Sequence, residues 1–138
     1  MTNSGYKFID HPSDIGIEVK GKTHKELFLN AVSGMLSIIS DSSNGREKIK
    51  KSLHLEEGSL EELLHSFLSE ILWFIISERF LPLSVSINLL EKTTLQAHLE
   101  GITITDEEVK REIKAVTFHQ LKIEKINGYF LTRIIFDV

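Results

Sequence analysis

Ile123-Glu124-Lys125-Ile126-Asn127-Gly128-Tyr129-Phe130-Leu131-Thr132-Arg133-Ile134-Ile135-Phe136-Asp137-Val138 decides the fold. Two apolar-rich arms flank Asn127-Gly128. Asn-Gly is a strong signal for a two-residue turn, because both central positions need φ > 0. Extended back to Arg111, the stretch reads as a long hairpin. With that turn Ile126 pairs with Tyr129, and the pairs continue outward. Side chains alternate with period two. One face therefore collects Leu121, Ile123, Phe130, Ile134 and Phe136, with His119 and Thr132 among them. The other carries Gln120, Lys122, Glu124, Arg133 and Asp137, with Leu131 and Ile135 among them. The first is the better core face, which leaves Asp137 on the polar side. Lys122 opposite Arg133 is a poor pair, and a single bulge would reverse the faces. The second arm runs to Val138, so a terminal carboxylate is expected at a strand end, next to Asp137.

Working back from this hairpin, the first segments alternate as well. Tyr6-Lys7-Phe8-Ile9 reads as a short strand, broken by Asp10-His11-Pro12-Ser13-Asp14. Ile15, Ile17 and Val19 then share one face of a second strand, and Asp14, Gly16 and Glu18 the other. Thr23-His24-Lys25-Glu26 is a capping box. It opens a helix with Leu27, Phe28, Ala31, Val32, Met35, Leu36 and Ile39 at helical spacing, ending near Asp41. Arg46 to Lys51 is a basic run, read as a solvated loop and strand start. Leu53 and Leu55 mark a strand to Glu57. Ser59 to Glu62 is a second capping box, and Leu60, Leu63, Leu64, Phe67, Leu68, Ile71, Leu72 and Ile75 form the stripe of the helix it opens. Ile71 to Ile76 is apolar nearly all round, which predicts a central helix with Trp73 in the core. Arg79 to Pro82 reads as a connection. Strands follow over 83–89 and around Leu95, Ala97 and Leu99. Gly101 to Lys110 fits strand, loop or a short helix capped by Thr105.

The order β, β, α, β, α, β, β, β, β predicts an α+β fold. It is a single two-layer domain over residues 1–138, a largely antiparallel sheet covered by two amphipathic helices. The 138 residues suffice for one core, and 41% hydrophobic with 26% charged content is globular. Cysteine is absent, which excludes disulfides, thiolate metal sites and cysteine nucleophiles. The net charge of −4 disfavours a stand-alone nucleic-acid binder. No signal segment is visible at Met1 to Gly5, and the longest apolar run falls far short of the ~20 residues of a membrane helix. A cytoplasmic protein without a membrane partner is expected.

Neither a phosphate-binding glycine loop nor a nucleophile elbow occurs. The carboxylates carry more. Asp14 stands at the mouth of one strand, and Asp137 with the Val138 carboxylate at the end of another. If those strands are neighbours, three hard oxygen groups converge, which suits Ca²⁺ or Mg²⁺. The plainer reading of Pro-Ser-Asp is a turn or cap. His11 is read as bracing its turn, and His119 as a partly buried, backbone-bonded histidine.

Several motifs also resemble one family. His11-Pro12-Ser13-Asp14-Ile15-Gly16-Ile17 is similar to the His-Thr-Ala-Asp-Ile-Gly opening of the archeases. Gly21-Lys22-Thr23-His24-Lys25-Glu26-Leu27-Phe28 resembles the next segment, and Leu60-Glu61-Glu62-Leu63-Leu64 the second helix. Glu112-Ile113-Lys114-Ala115-Val116-Thr117-Phe118-His119 resembles Glu-Val-Lys-Ala-Val-Thr-Tyr-His, and Ile135-Phe136-Asp137-Val138 the family's ending. Pro12-Ser13 stands for Thr-Ala, and Phe118 for Tyr. The resemblance spans essentially the whole chain. It implies a non-enzymatic protein cofactor of the GTP-dependent RNA ligase of tRNA splicing and RNA repair, promoting guanylylation and turnover, with tRNA as an indirect partner. It also implies a metal site, usually of calcium, at Asp14, Asp137 and the Val138 carboxylate. A metal-dependent phosphoester hydrolase and a small chaperone-like binder are the alternatives. Whether His11, Lys114 and His119 are functional or structural stays open at this level.

Overall fold

The computed structural model describes residues 5–9, 14–43 and 46–138. Strands β1 (Tyr6–Ile9) and β2 (Ile15–Gly21) lead into helix α1 (His24–Ile39). Strand β3 (Ile49–Glu56), helix α2 (Leu60–Glu78), and strands β4 (Phe80–Leu90) and β5 (Thr94–Thr103) follow. A 3-10 turn at Asp106–Glu108 precedes β6 (Ala115–Val116), β7 (Glu124–Ile126) and β8 (Tyr129–Asp137). All the strand pairs described are antiparallel. They form two sheets: one with the order β1-β2-β8-β6, in which β7 also pairs with β8, and a second with the order β3-β5-β4. Helix α1 packs mainly on β2 and reaches β4, while α2 packs on β4, β6 and β3. The helices thus bridge both sheets, and the α+β expectation holds.

Both helix starts follow from their capping residues. Thr23 Oγ1 accepts from the Glu26 N–H at 3.0 Å, and the Glu26 carboxylate accepts from Lys22 N–H rather than from the cap itself. Ser59 Oγ accepts from Glu62 N–H at 3.1 Å. Each cap satisfies one of the donors that a helix start leaves unpaired, which is worth about 1 kcal/mol. The apolar stripes face inward as their spacing requires: Leu27, Phe28, Ala31, Val32, Met35 and Ile39 of α1 are buried, as are Leu63, Leu64, Phe67, Leu68, Ile71, Leu72 and Ile75 of α2.

The far side of α2 differs from expectation. Trp73 is 58% exposed and Ile76 45% exposed. At 100° per residue Trp73 points nearly opposite the buried Leu64–Leu68–Ile71–Ile75 line. An all-round apolar segment does not make the helix central; its outer face stays in solvent. The expected connection at Arg79 to Pro82 is also shorter. Arg79 alone turns the chain, in a left-handed conformation (φ 52°) that caps α2, and β4 begins at Phe80.

The C-terminal turn forms as predicted. Asn127 has φ 52° and Gly128 φ 83°, and Ile126 pairs with Tyr129. The first arm, however, does not stay on the ladder. β7 pairs with Tyr129 to Leu131, β6 pairs with Phe136 and Asp137, and the chain between them swings away from β8. Lys122 is therefore not a strand partner of Arg133. The excursion turns at Gln120 (φ 53°) and drops Leu121 into the core. His119, expected partly buried, is exposed there.

Two tests of the fold follow from local geometry. Gly101 pairs with Pro82, and a Cβ added there would collide with the Leu81 carbonyl. Backbone cannot give way as a side chain can, so Gly101→Ala is expected to cost about 3 kcal/mol in chemical denaturation, the upper range for overpacking. Glu108 ties the 3-10 turn to the segment after α1. Its carboxylate accepts from Arg46, from Ser42 Oγ at 2.6 Å and from Thr105 N–H at 2.9 Å. The Arg46 guanidinium, helped by Ser42 and Thr105, holds its pKa at about 2 against an ordinary 4.5. A carboxyl lowered in the folded state stabilises above its unfolded pKa, and that stability is lost as pH falls through the folded value. Glu108→Gln should thus lower stability at neutral pH, and the gap to wild type should close between pH 4.5 and about 2.

Candidate metal centre

β8 lies between β2 and β6, so the two strand ends singled out in the sequence are neighbours. Ile15 pairs with Phe136, the last rung of the β2–β8 ladder, and Asp14 and Asp137 occupy the next position. Alternation assigns both to the face opposite Ile15 and Phe136, which point to the core. Asp137 is exposed and Asp14 half-buried. On the other side Asp137 pairs with Ala115, and its carbonyl accepts from Lys114 N–H at 2.7 Å. The structure therefore brings Asp14, Asp137 and the Lys114 segment together across three strands. His11 lies outside the described residues. His119 stands at the start of the excursion, its N–H donating to Thr117 Oγ1 at 3.4 Å.

The outer face of this sheet shows how unlike its last rung is. Four residues inward, Glu18 accepts from Arg133 Nε at 3.0 Å and lies 3.4 Å from Lys7 Nζ. Partial burial pulls the Glu18 carboxyl upward, and its bonds to Arg133 and Lys7 outweigh this, leaving its pKa lowered. Between the two rungs Gly16 lies beneath Ile9 and Ile135; a Cβ there would meet both side chains. Gly16 is thus the residue that lets Ile9 and Ile135 close over the sheet beside the acidic rung. Just past the last pair of this ladder an aspartate stands at the end of each strand, Asp14 before β2 and Asp137 at the end of β8. Like charges directly opposite are destabilising. Among the described residues no hydrogen bond or ion pair engages the Asp137 side chain.

A divalent cation fits that donor set. Carboxylate oxygens are hard ligands, and the pair stands on the solvent side, where water can fill remaining positions. No described group of three or more His, Asp or Glu side chains could hold a metal. A closed site would thus need a further donor such as the Val138 carboxylate. Beside the rung, the excursion and the outer face of β8 enclose a groove of about 820 Å³, lined by Ile9, His119, Lys122, Arg133 and Ile135.

The segment carrying Lys114 is anchored by a residue that sequence reasoning missed. Arg79, the left-handed cap of α2, donates to Glu112 at 2.9 Å and to Asp106 at 2.9 Å. The Glu112 and Asp106 carboxylates raise its already high pKa. Ile113 is buried next to that pair, which leaves Lys114 exposed. Only the position of Arg79 at the end of an apolar stripe hinted at a cap; its carboxylate partners lie far along the chain.

These features define a small α+β protein whose larger sheet carries an aspartate at each of two neighbouring strand termini. The profile of the Archease protein family (MTH1598/TM1083) matches residues 6–138, and the chain belongs to that family. It is 34% identical over 134 residues to the protein archease of Thermoplasma volcanium, covering 96% of this chain and 98% of that one. It is 30% identical to the protein archease of Methanosarcina barkeri over the full length of both. The solution structure of Methanobacterium thermoautotrophicum protein 1598 superposes with a TM-score of 0.74 at 27% identity, covering 99% of this chain and 100% of that one. The crystal structure of an archease from Thermotoga maritima, called a possible chaperone, shares the fold with a TM-score of 0.65 at 24% identity over 96% of each chain. No helix of the described residues is long and apolar enough to cross a membrane.

Proposed function

We propose that this protein is a non-enzymatic, metal-binding activator of a GTP-dependent RNA ligase, acting in the cytoplasm and meeting tRNA only through that ligase. The observation that supports the reading is that β2 and β8 are neighbours, with Asp14 and Asp137 each one residue beyond their last shared pair, Ile15 and Phe136. Asp14, Asp137 and the Val138 carboxylate would hold the ion, calcium first and magnesium or another divalent ion next. When bound, the ion would supply concentrated positive charge to a partner's nucleotide site. The protein's own groups orient it: Phe136 and Ile15 anchor the rung from beneath, and the Lys114 N–H bond holds the Asp137 backbone in line.

Two further readings meet less support. A metal-dependent hydrolase would use the same carboxylates and would need a positioned base beside the metal; phosphoester hydrolysis by the purified protein, lost in Asp137→Ala, would favour it. A chaperone-like role draws on the name given to the Thermotoga maritima protein and on exposed apolar side chains such as Phe8 and Trp73. The experiment is multiple-turnover guanylylation of the cognate ligase with wild type and with Asp14→Ala. Wild type is expected to raise turnover and the variant to leave it at the level of ligase alone. Equal stimulation by both refutes the proposed site, and stimulation by neither refutes the role.

A further inference from the structure

We propose that the outward face of α2 docks a cationic amphipathic helix of a partner protein. This face is the side of α2 turned away from the core, and its N-terminal end abuts β6, the strand beside Asp137, through His65 and Phe118. Trp73 and Ile76 lie one turn apart on it, 58% and 45% exposed, and Ser69 precedes both at helical spacing. One turn earlier stands His65, whose ring lies 5.2 Å from that of Phe118, itself 45% exposed. His65 Nε2 is fixed to the Val116 carbonyl at 2.7 Å, so this end of the strip is held in place. From His65 to Ile76 the strip runs about 16 Å along the helix, three turns, the length over which one helix reads another by i, i+3 and i+4 anchors. An exposed tryptophan beside other apolar groups is the usual anchor of such contacts.

Charge selects the occupant. α2 carries Glu61, Glu62, Glu70 and Glu78 and neither lysine nor arginine. Its C-terminal end, where Trp73 and Ile76 lie, has no basic residue in the last turn, and the Arg79 that caps it is already paired with Asp106 and Glu112. Lys51 reaches Glu78 at 2.7 Å and lies over the Phe74 ring, but it sits on the β3 side. Among the described residues Glu70 has no ion-pair partner. A symmetric pairing of α2 with a second copy would set glutamates against glutamates. RNA, a polyanion, is repelled by the same field. A helix with an apolar stripe and flanking Lys or Arg matches both the strip and its acidic margin, and its cations can also sit over Trp73.

Trp73 is the only tryptophan, so its emission reports this face directly. The full chain is titrated with a Leu/Lys amphipathic helical peptide, with its scrambled isomer and with a Leu/Glu counterpart. A saturable blue shift with the Leu/Lys helix alone is expected. Glu70→Lys should weaken that binding about threefold, the size of one exposed charge pair. Trp73→Ala, followed by calorimetry, should weaken it about thirtyfold, as for an interface anchor. Circular dichroism checks that each variant is folded. An equal shift with the scrambled or Leu/Glu peptide overturns the proposal, as does no shift with any peptide. So does a shift caused by polyuridylate RNA or by raising the protein concentration alone.

Discussion

Asp137→Asn is expected to abolish calcium binding while leaving the fold intact. The side chain is exposed and makes no bond among the described residues, so an isosteric amide removes charge and little else. Calcium affinity follows the charge count of its ligands, and losing one of few carboxylates should cost about a hundredfold or more. The effect shows twice. By calorimetry the binding isotherm flattens. By thermal unfolding, calcium at a hundred times the wild-type Kd should stabilise wild type by about 2.7 kcal/mol and the variant by almost nothing. Without calcium the order should reverse: the variant removes one of the two carboxylates at neighbouring strand ends and should be more stable than wild type by about a few tenths of a kcal/mol. This crossing of sign separates a ligand from a residue that merely supports the fold. A C-terminal extension tests the third ligand, since the Val138 carboxylate would become a peptide carbonyl.

Phe136→Ala is expected to have the largest effect on stability, about 3–5 kcal/mol, the range for removing a buried aromatic ring. Phe136 is fully buried and pairs with Ile15 on one side and Val116 on the other. It lies under the junction of three strands, one residue from Asp137. Loss of the ring should therefore loosen the rung as well as the core. In urea the midpoint should fall sharply, and in the folded fraction calcium affinity should drop too. Tyr129→Ala, half exposed at the far end of the same strand, should change neither by much.

The contrast between these two positions reflects what a sequence can carry. Alternation is legible in β2 and β8 because each has one face on the core: Ile17, Val19, Ile134 and Phe136 are buried, and Asp137 is not. The acidic rung depended on one further fact, that β2 and β8 are neighbours, and neighbourhood is a long-range property that periodicity does not encode. The first arm of the hairpin shows the limit from the other side. Its apolar alternation is real, and Leu121 and Ile123 do turn inward. They do so from an excursion rather than from a strand, since an inward residue in a loop and one in a strand leave the same mark. Trp73 failed for a different reason. Six apolar residues in a row have no phase, and only the stripe on either side of them, continued at 100° per residue, tells that Trp73 faces out. The division into two sheets was equally hidden, because β3, β4 and β5 pair only among themselves, and no residue type marks where one sheet stops.

The most direct test of the central claim is a crystal structure of the full chain grown with calcium. The account predicts an ion with oxygens of Asp14 and Asp137 at about 2.3–2.6 Å, completed by the Val138 carboxylate and water. Carboxylates of Asp14 and Asp137 turned apart, with calcium bound elsewhere or not at all at saturating concentration, would contradict it.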